Sequence, residues 1–131
     1  LNEGCIPTKT LLNSAKLYEH AKESAVYGVT ASDVKIDHEA VVKRKDKVVK
    51  TLVSGVKAGL KAAGVEMVDA KGKVKARTAE GYVVEANGTE YVGKNLIVAT
   101  GSVCTILPIP GLQAGLDSGF VMTNKEMLEN G

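Results

Sequence analysis

The apolar positions change rhythm along this chain, and each rhythm predicts a different element. From Pro7 to about Ala25, the residues Leu11, Ala15, Tyr18 and Ala25, flanked by Leu12 and Val26, form the stripe of an amphipathic helix that Gly28 ends. Pro7 suits its first turn, where the missing N–H has no helical partner. After a polar connection through Ser32 and Asp33, Asp37 is placed to cap a second helix. In it Val42, Val49, Val53, Val56 and Leu60 repeat at helical spacing, Val41, Val48 and Leu52 widen the stripe, and Gly64 marks the exit. About 23 residues make such a helix roughly 34 Å long. Gly55 and Gly59 weaken it by about 1 kcal/mol each relative to Ala, so a neighbour packed tightly against them is expected.

The period then shortens. Val65–Asp69, Lys73–Ala76, Tyr82–Ala86 and Thr89–Val92 read as short strands, with turns at Glu80-Gly81 and at Asn87-Gly88, the latter a type I′ hairpin signal. The continuous apolar run Asn95-Leu96-Ile97-Val98-Ala99-Thr100-Gly101-Ser102 reads as a parallel-type strand buried on both faces, whose carboxyl end faces a ligand. Leu107-Pro108-Ile109-Pro110-Gly111 must be irregular, and Thr123 with Glu126 is placed to cap a last short helix. Met67, Met122 and Met127 read as core filler. The fold class expected is α/β, α+β when taken alone: two long helices, an antiparallel meander and buried parallel-type strands.

Length and composition narrow this picture. The 131 residues suit one domain at most, and 44% hydrophobic with 24% charged residues, 14 Gly and 3 Pro are ordinary for a globular protein. A net charge of +2 argues for no polyanionic partner, so nucleic acid is not expected; the basic run Lys43–Lys50 reads as a solvated helix face. No apolar stretch is long enough to span a membrane, and no signal peptide is readable. Two widely separated cysteines make neither a disulfide framework nor a metal cluster and point to a reducing compartment, with a cytoplasmic location expected.

The chemistry gathers at the amino-terminal edge. Cys5 stands just before a helix whose first-turn N–H groups and dipole favour a thiolate, and Lys9, four residues on, adds positive charge to the same side. The run Leu1-Asn2-Glu3-Gly4-Cys5-Ile6-Pro7-Thr8-Lys9 closely resembles the redox-active segment of the flavin-dependent pyridine nucleotide-disulfide oxidoreductases, in which two cysteines separated by four residues precede a Pro, a small hydroxyl residue and a Lys. By that resemblance Cys5 is the flavin-side, charge-transfer cysteine and Lys9 contacts the flavin ring and the FAD phosphate region. The first redox cysteine would stand immediately before Leu1. Glu3 departs from the family's usual Val. The run Leu96–Ser102 is similar to the strand and turn that close the family's FAD domain, which implies main-chain contacts to FAD at Thr100, Gly101 and Ser102. Gly72, in Lys71-Gly72-Lys73, falls where the family contacts the adenine portion of FAD, and a plain turn explains it almost equally well.

The resemblance extends over essentially the whole chain and implies a partial FAD-binding domain. Its parts would be the redox helix at 1–28, the long helix at 37–64, strands and meander at 65–102, and a linker at 103–131 toward an NAD-binding domain beyond Gly131. It implies an enzyme that oxidises a dithiol with FAD, a redox-active disulfide and NAD, as a homodimer. The Ile-Pro-Thr-Lys spelling favours the branch acting on protein-bound dihydrolipoamide, whose partners are the lipoyl domains of 2-oxo acid dehydrogenase complexes or of the glycine cleavage system. A glutathione- or mercuric-reductase-like flavoprotein is the alternative, and a non-enzymatic, self-associating module is another. The chain opens without Met and reads as an internal piece. It holds no G-x-G-x-x-G turn, so taken alone it is expected to be inactive and to bind no flavin stably. Cys104 matches no redox position and reads as a small packed or exposed thiol. His20 and His38 read as helix-surface residues rather than bases, because the family's catalytic His-Glu pair belongs to a C-terminal domain.

Overall fold

A computed structural model describes residues 1–130, which fall into two compact units: Leu1–Ala58 together with the chain from Cys104, and Gly59–Val103.

In the first unit, α1 (Cys5–Glu23) runs into a 3-10 turn (Ser24–Tyr27), and Gly28, at φ +74°, closes it by donating its N–H to the Ala25 carbonyl at 3.0 Å. Pro7 occupies the first turn and is fully buried. Two residues from the end of that turn, Thr10 is also buried and returns its hydroxyl to the Ile6 carbonyl at 2.8 Å. Asp37 caps α2 (His38–Ala62), its Oδ1 accepting from the Ala40 N–H at 3.0 Å as its position predicts. Val42 and Lys45 are the buried residues of α2.

The end of this unit carries α3 (Leu112–Asp117), which the sequence reading missed, and α4 (Asn124–Glu129). Pro108–Gly111 is irregular, as expected, with Gly111 in a left-handed conformation at φ +84° where α3 begins. Thr123 and Glu126 form the full capping box of α4: the Thr123 N–H donates to Glu126 Oε2 at 2.8 Å, and the Thr123 hydroxyl accepts from the Lys125 N–H.

The second unit is a meander of β1 (Lys73–Arg77), β2 (Tyr82–Ala86) and β3 (Thr89–Gly93), antiparallel in that order. Asn87 at φ +51° and Gly88 at +77° make the two-residue connection, as the Asn-Gly signal requires. Gly81 is needed for space: a Cβ there would collide with the Gly93 carbonyl oxygen. Val83 and Ala86 of the central strand are buried.

Four expectations fail. The run 95–102 is not a buried strand: it forms no ladder, and Ile97 and Val98 are 88% and 70% exposed. A strand depends on hydrogen bonds from its neighbours, and no described strand lies beside this one. Val65–Asp69 forms no strand for the same reason. Nothing lies within 4 Å of where a Cβ would stand at Gly55 or Gly59, so no described residue covers that face of α2. The three methionines are exposed rather than core. The α/β class itself stands, as helices combined with a small antiparallel sheet.

Candidate functional site

Cys5 is the first residue of α1, exposed and unbridged. It starts a helix without a side-chain cap: Gly4, at φ −148° and ψ −95°, offers no oxygen beyond its carbonyl, which accepts from the Thr8 N–H at 3.1 Å. Pro7 has no N–H, and those of Cys5 and Ile6 have no partner among the described residues. The positive end of α1 is therefore left open around the thiol. Lys9, also exposed, follows one turn later, and residues so spaced hold their Cβ atoms about 6 Å apart on one helix face. An accessible thiol with an ammonium group on its own face is suited to nucleophilic exchange with a disulfide.

The segment leading into Cys5 is tied to α4. Glu3 Oε1 pairs with Lys125 Nζ at 2.9 Å, and Asn124 Nδ2 donates to the Glu3 carbonyl at 3.4 Å. The Glu3 carboxylate holds the Lys125 ammonium above its ordinary pKa, by hydrogen bond and then by charge. Asn124 Oδ1 also accepts from the Cys104 thiol, which is exposed. A groove of about 370 Å³ runs between Gly4, Thr8 and Leu11 on one side and Val41, Met127 and Leu128 on the other. Cys5 and Lys9 do not line it. His20 and His38 are exposed, with His38 Nε2 2.9 Å from the Asn130 carbonyl oxygen. Sequence reasoning missed the clasp between Glu3, Asn124 and Lys125, because ion pairs between distant stretches leave no periodic signal. The unusual acid at position 3 was its only trace.

Gly72, Thr100, Gly101 and Ser102 belong to the other unit, and all are exposed. A Cβ at Gly72 would touch Val84 Cγ1 at 3.4 Å, an ordinary contact that leaves the plain turn as an adequate account. Gly101 sits at φ +78° with open space where its Cβ would be, and the main chain of Thr100–Ser102 makes no hydrogen bond among the described residues. Free N–H groups beside a left-handed glycine fit a group that accepts main-chain hydrogen bonds, as FAD does. Among the described residues no cluster of His, Cys, Asp and Glu could hold a metal, and no helix is long and apolar enough to cross a membrane.

Known proteins are similar to this chain over nearly its whole length. The family model for pyridine nucleotide-disulphide oxidoreductases matches residues 1–131. Dihydrolipoyl dehydrogenase of Acholeplasma laidlawii is 43% identical over 129 residues, covering 98% of this chain and 37% of the relative. The Mycoplasma genitalium dihydrolipoyl dehydrogenase is 38% identical over 129 residues, 98% of this chain and 27% of the relative. The mitochondrial dihydrolipoyl dehydrogenase of Pisum sativum is 41% identical over 110 residues, 82% and 22% respectively. The chain thus spans little more than a third of the length of these relatives, and less in most. With a family match from its first residue to its last, and an exposed cysteine heading the helix where the motif demands one, the chain belongs to the pyridine nucleotide-disulphide oxidoreductases.

Proposed function

We propose that this chain is the redox-cysteine segment and part of the FAD-binding domain of a dihydrolipoyl dehydrogenase, a homodimer that oxidises the dihydrolipoamide of lipoyl domains and passes the electrons to NAD. The observation that carries the reading is Cys5: an exposed thiol opening an uncapped helix, with Lys9 on its face. In the oxidised protein Cys5 is one sulfur of a disulfide with a cysteine outside this chain. A substrate thiolate attacks that disulfide, and the second substrate thiol displaces the enzyme sulfur. The substrate leaves as a disulfide, and the protein holds two thiols and the electron pair. At the open start of α1 the Cys5 sulfur is exposed to that exchange.

FAD, when bound, supplies the two-electron acceptor and relay to NAD that thiols lack. Gly72 and the main chain of Thr100, Gly101 and Ser102, which share one unit, would hold it. The names of the relatives favour lipoamide over the glutathione and mercuric reductase alternatives. The test is steady-state dihydrolipoamide-dependent reduction of NAD by the full-length protein. Cys5→Ser is expected to lower kcat by at least about a thousandfold, whereas Cys104→Ser leaves it within about twofold. Substantial turnover by the Cys5→Ser protein sinks the reading.

A further inference from the structure

The clasp between α4 and the lead-in to Cys5 has no part in the reaction just described, yet it ends two residues from the thiol. Glu3 lies at a small cleft of about 80 Å³ bounded by four other charged side chains: Lys45 and Asp46 of α2, and Lys125 and Glu129 of α4. Lys45 is buried and already committed to Asp46 at 2.7 Å. The ammonium that pairs with Glu3 is that of Lys125, at 2.9 Å, while the neighbouring Asn124 holds the Glu3 main chain. Helix α4 is in turn fixed by its own capping box, so Lys125 is presented from a formed turn of helix rather than from a loop.

We infer that Lys125 is a positioning residue for Cys5: by pairing with Glu3 it neutralises a carboxylate that would otherwise oppose a thiolate two residues away. The effect depends on the charge left at residue 3, and it does not require Lys125 to meet substrate or cofactor. The inference rests on Cys5 being the redox cysteine for its significance, though not for its test.

The test is the rate at which iodoacetamide alkylates Cys5 in the reduced full-length protein at neutral pH, read by peptide mass at low and high salt. Lys125→Gln leaves Glu3 unpaired and is expected to slow the reaction about threefold at low ionic strength, the gap closing near 1 M salt. Lys125→Arg restores the rate, and so does adding Glu3→Gln to Lys125→Gln, a rescue that loss of mere structural support would not give. Lys50→Gln, which removes a distant exposed charge on α2, changes nothing. An unaltered rate in Lys125→Gln, equal slowing in the double variant, or equal slowing by Lys50→Gln overturns the inference. Because alkylation needs no turnover, an active Cys5→Ser protein would refute the redox reading and leave these rates to judge the clasp by themselves.

Discussion

Two residues of α4 carry pH-dependent contributions of opposite sign. Hydrogen bonds from Thr123, side chain first, hold the Glu126 carboxyl below its ordinary value of 4.5. A lowered carboxylate pKa means that the cap contributes fully above the ordinary value and is lost as pH falls through the lower, folded one. Lys125 is raised above 10.5 by Glu3, so its contribution is complete below that value and disappears as pH rises through the raised one. The α4 clasp is therefore expected to persist from mildly acidic to mildly alkaline pH and to loosen at both extremes. Amide exchange at Met127, whose N–H bonds the Thr123 carbonyl at 3.1 Å, should be slowest in that window. Thr123→Ala is expected to cost about 1 kcal/mol in urea denaturation, and no loss would mean that the cap is not formed. Thr123 and Glu126 were legible in the sequence because a capping box is written in four consecutive residues. Glu3 and Lys125 were not, because nothing local in either stretch specifies the other.

The same division between local and distant holds for the elements. Helices α1 and α2 and the β2–β3 hairpin follow from short-range patterns, and Asn87-Gly88 sets its turn through backbone conformation alone. The run 95–102 misled because its apolar continuity predicts burial, while strand formation depends on partners that are not written into it. Gly55 and Gly59 misled likewise: their cost in helix propensity suggests a close neighbour that offsets it, and the described structure leaves both open. Gly55→Ala should accordingly stabilise α2 by about 1 kcal/mol, seen as a raised midpoint in thermal unfolding, whereas a fall would restore the covering neighbour that this cost first suggested. Gly81→Ala should do the reverse and unravel the meander, because its methyl group would collide with the Gly93 carbonyl. Preserved β-sheet circular dichroism in that variant would contradict the close approach.

Taken as a whole, the chain buries little. Ile97, Val98, Val103 and Phe120 are each at least 70% exposed, and the buried apolar residues are few. We expect the 131 residues prepared alone to be colourless and to self-associate, because so much apolar surface favours contact between copies. A monodisperse monomer at high concentration in sedimentation, or stoichiometric bound FAD, would contradict this. Family membership and the place of Cys5 were legible from nine residues at the amino-terminal edge, while the exposure of the 95–102 run was not, because burial depends on what surrounds a segment. The role given to Cys5 is decided by thiol labelling of the full-length protein, before and after anaerobic reduction by dihydrolipoamide. Cys5 should resist alkylation when oxidised and take up one label when reduced, with Cys104 labelled equally in both states. Equal labelling of Cys5 in the two states would show that it shares no disulfide with the substrate's electrons.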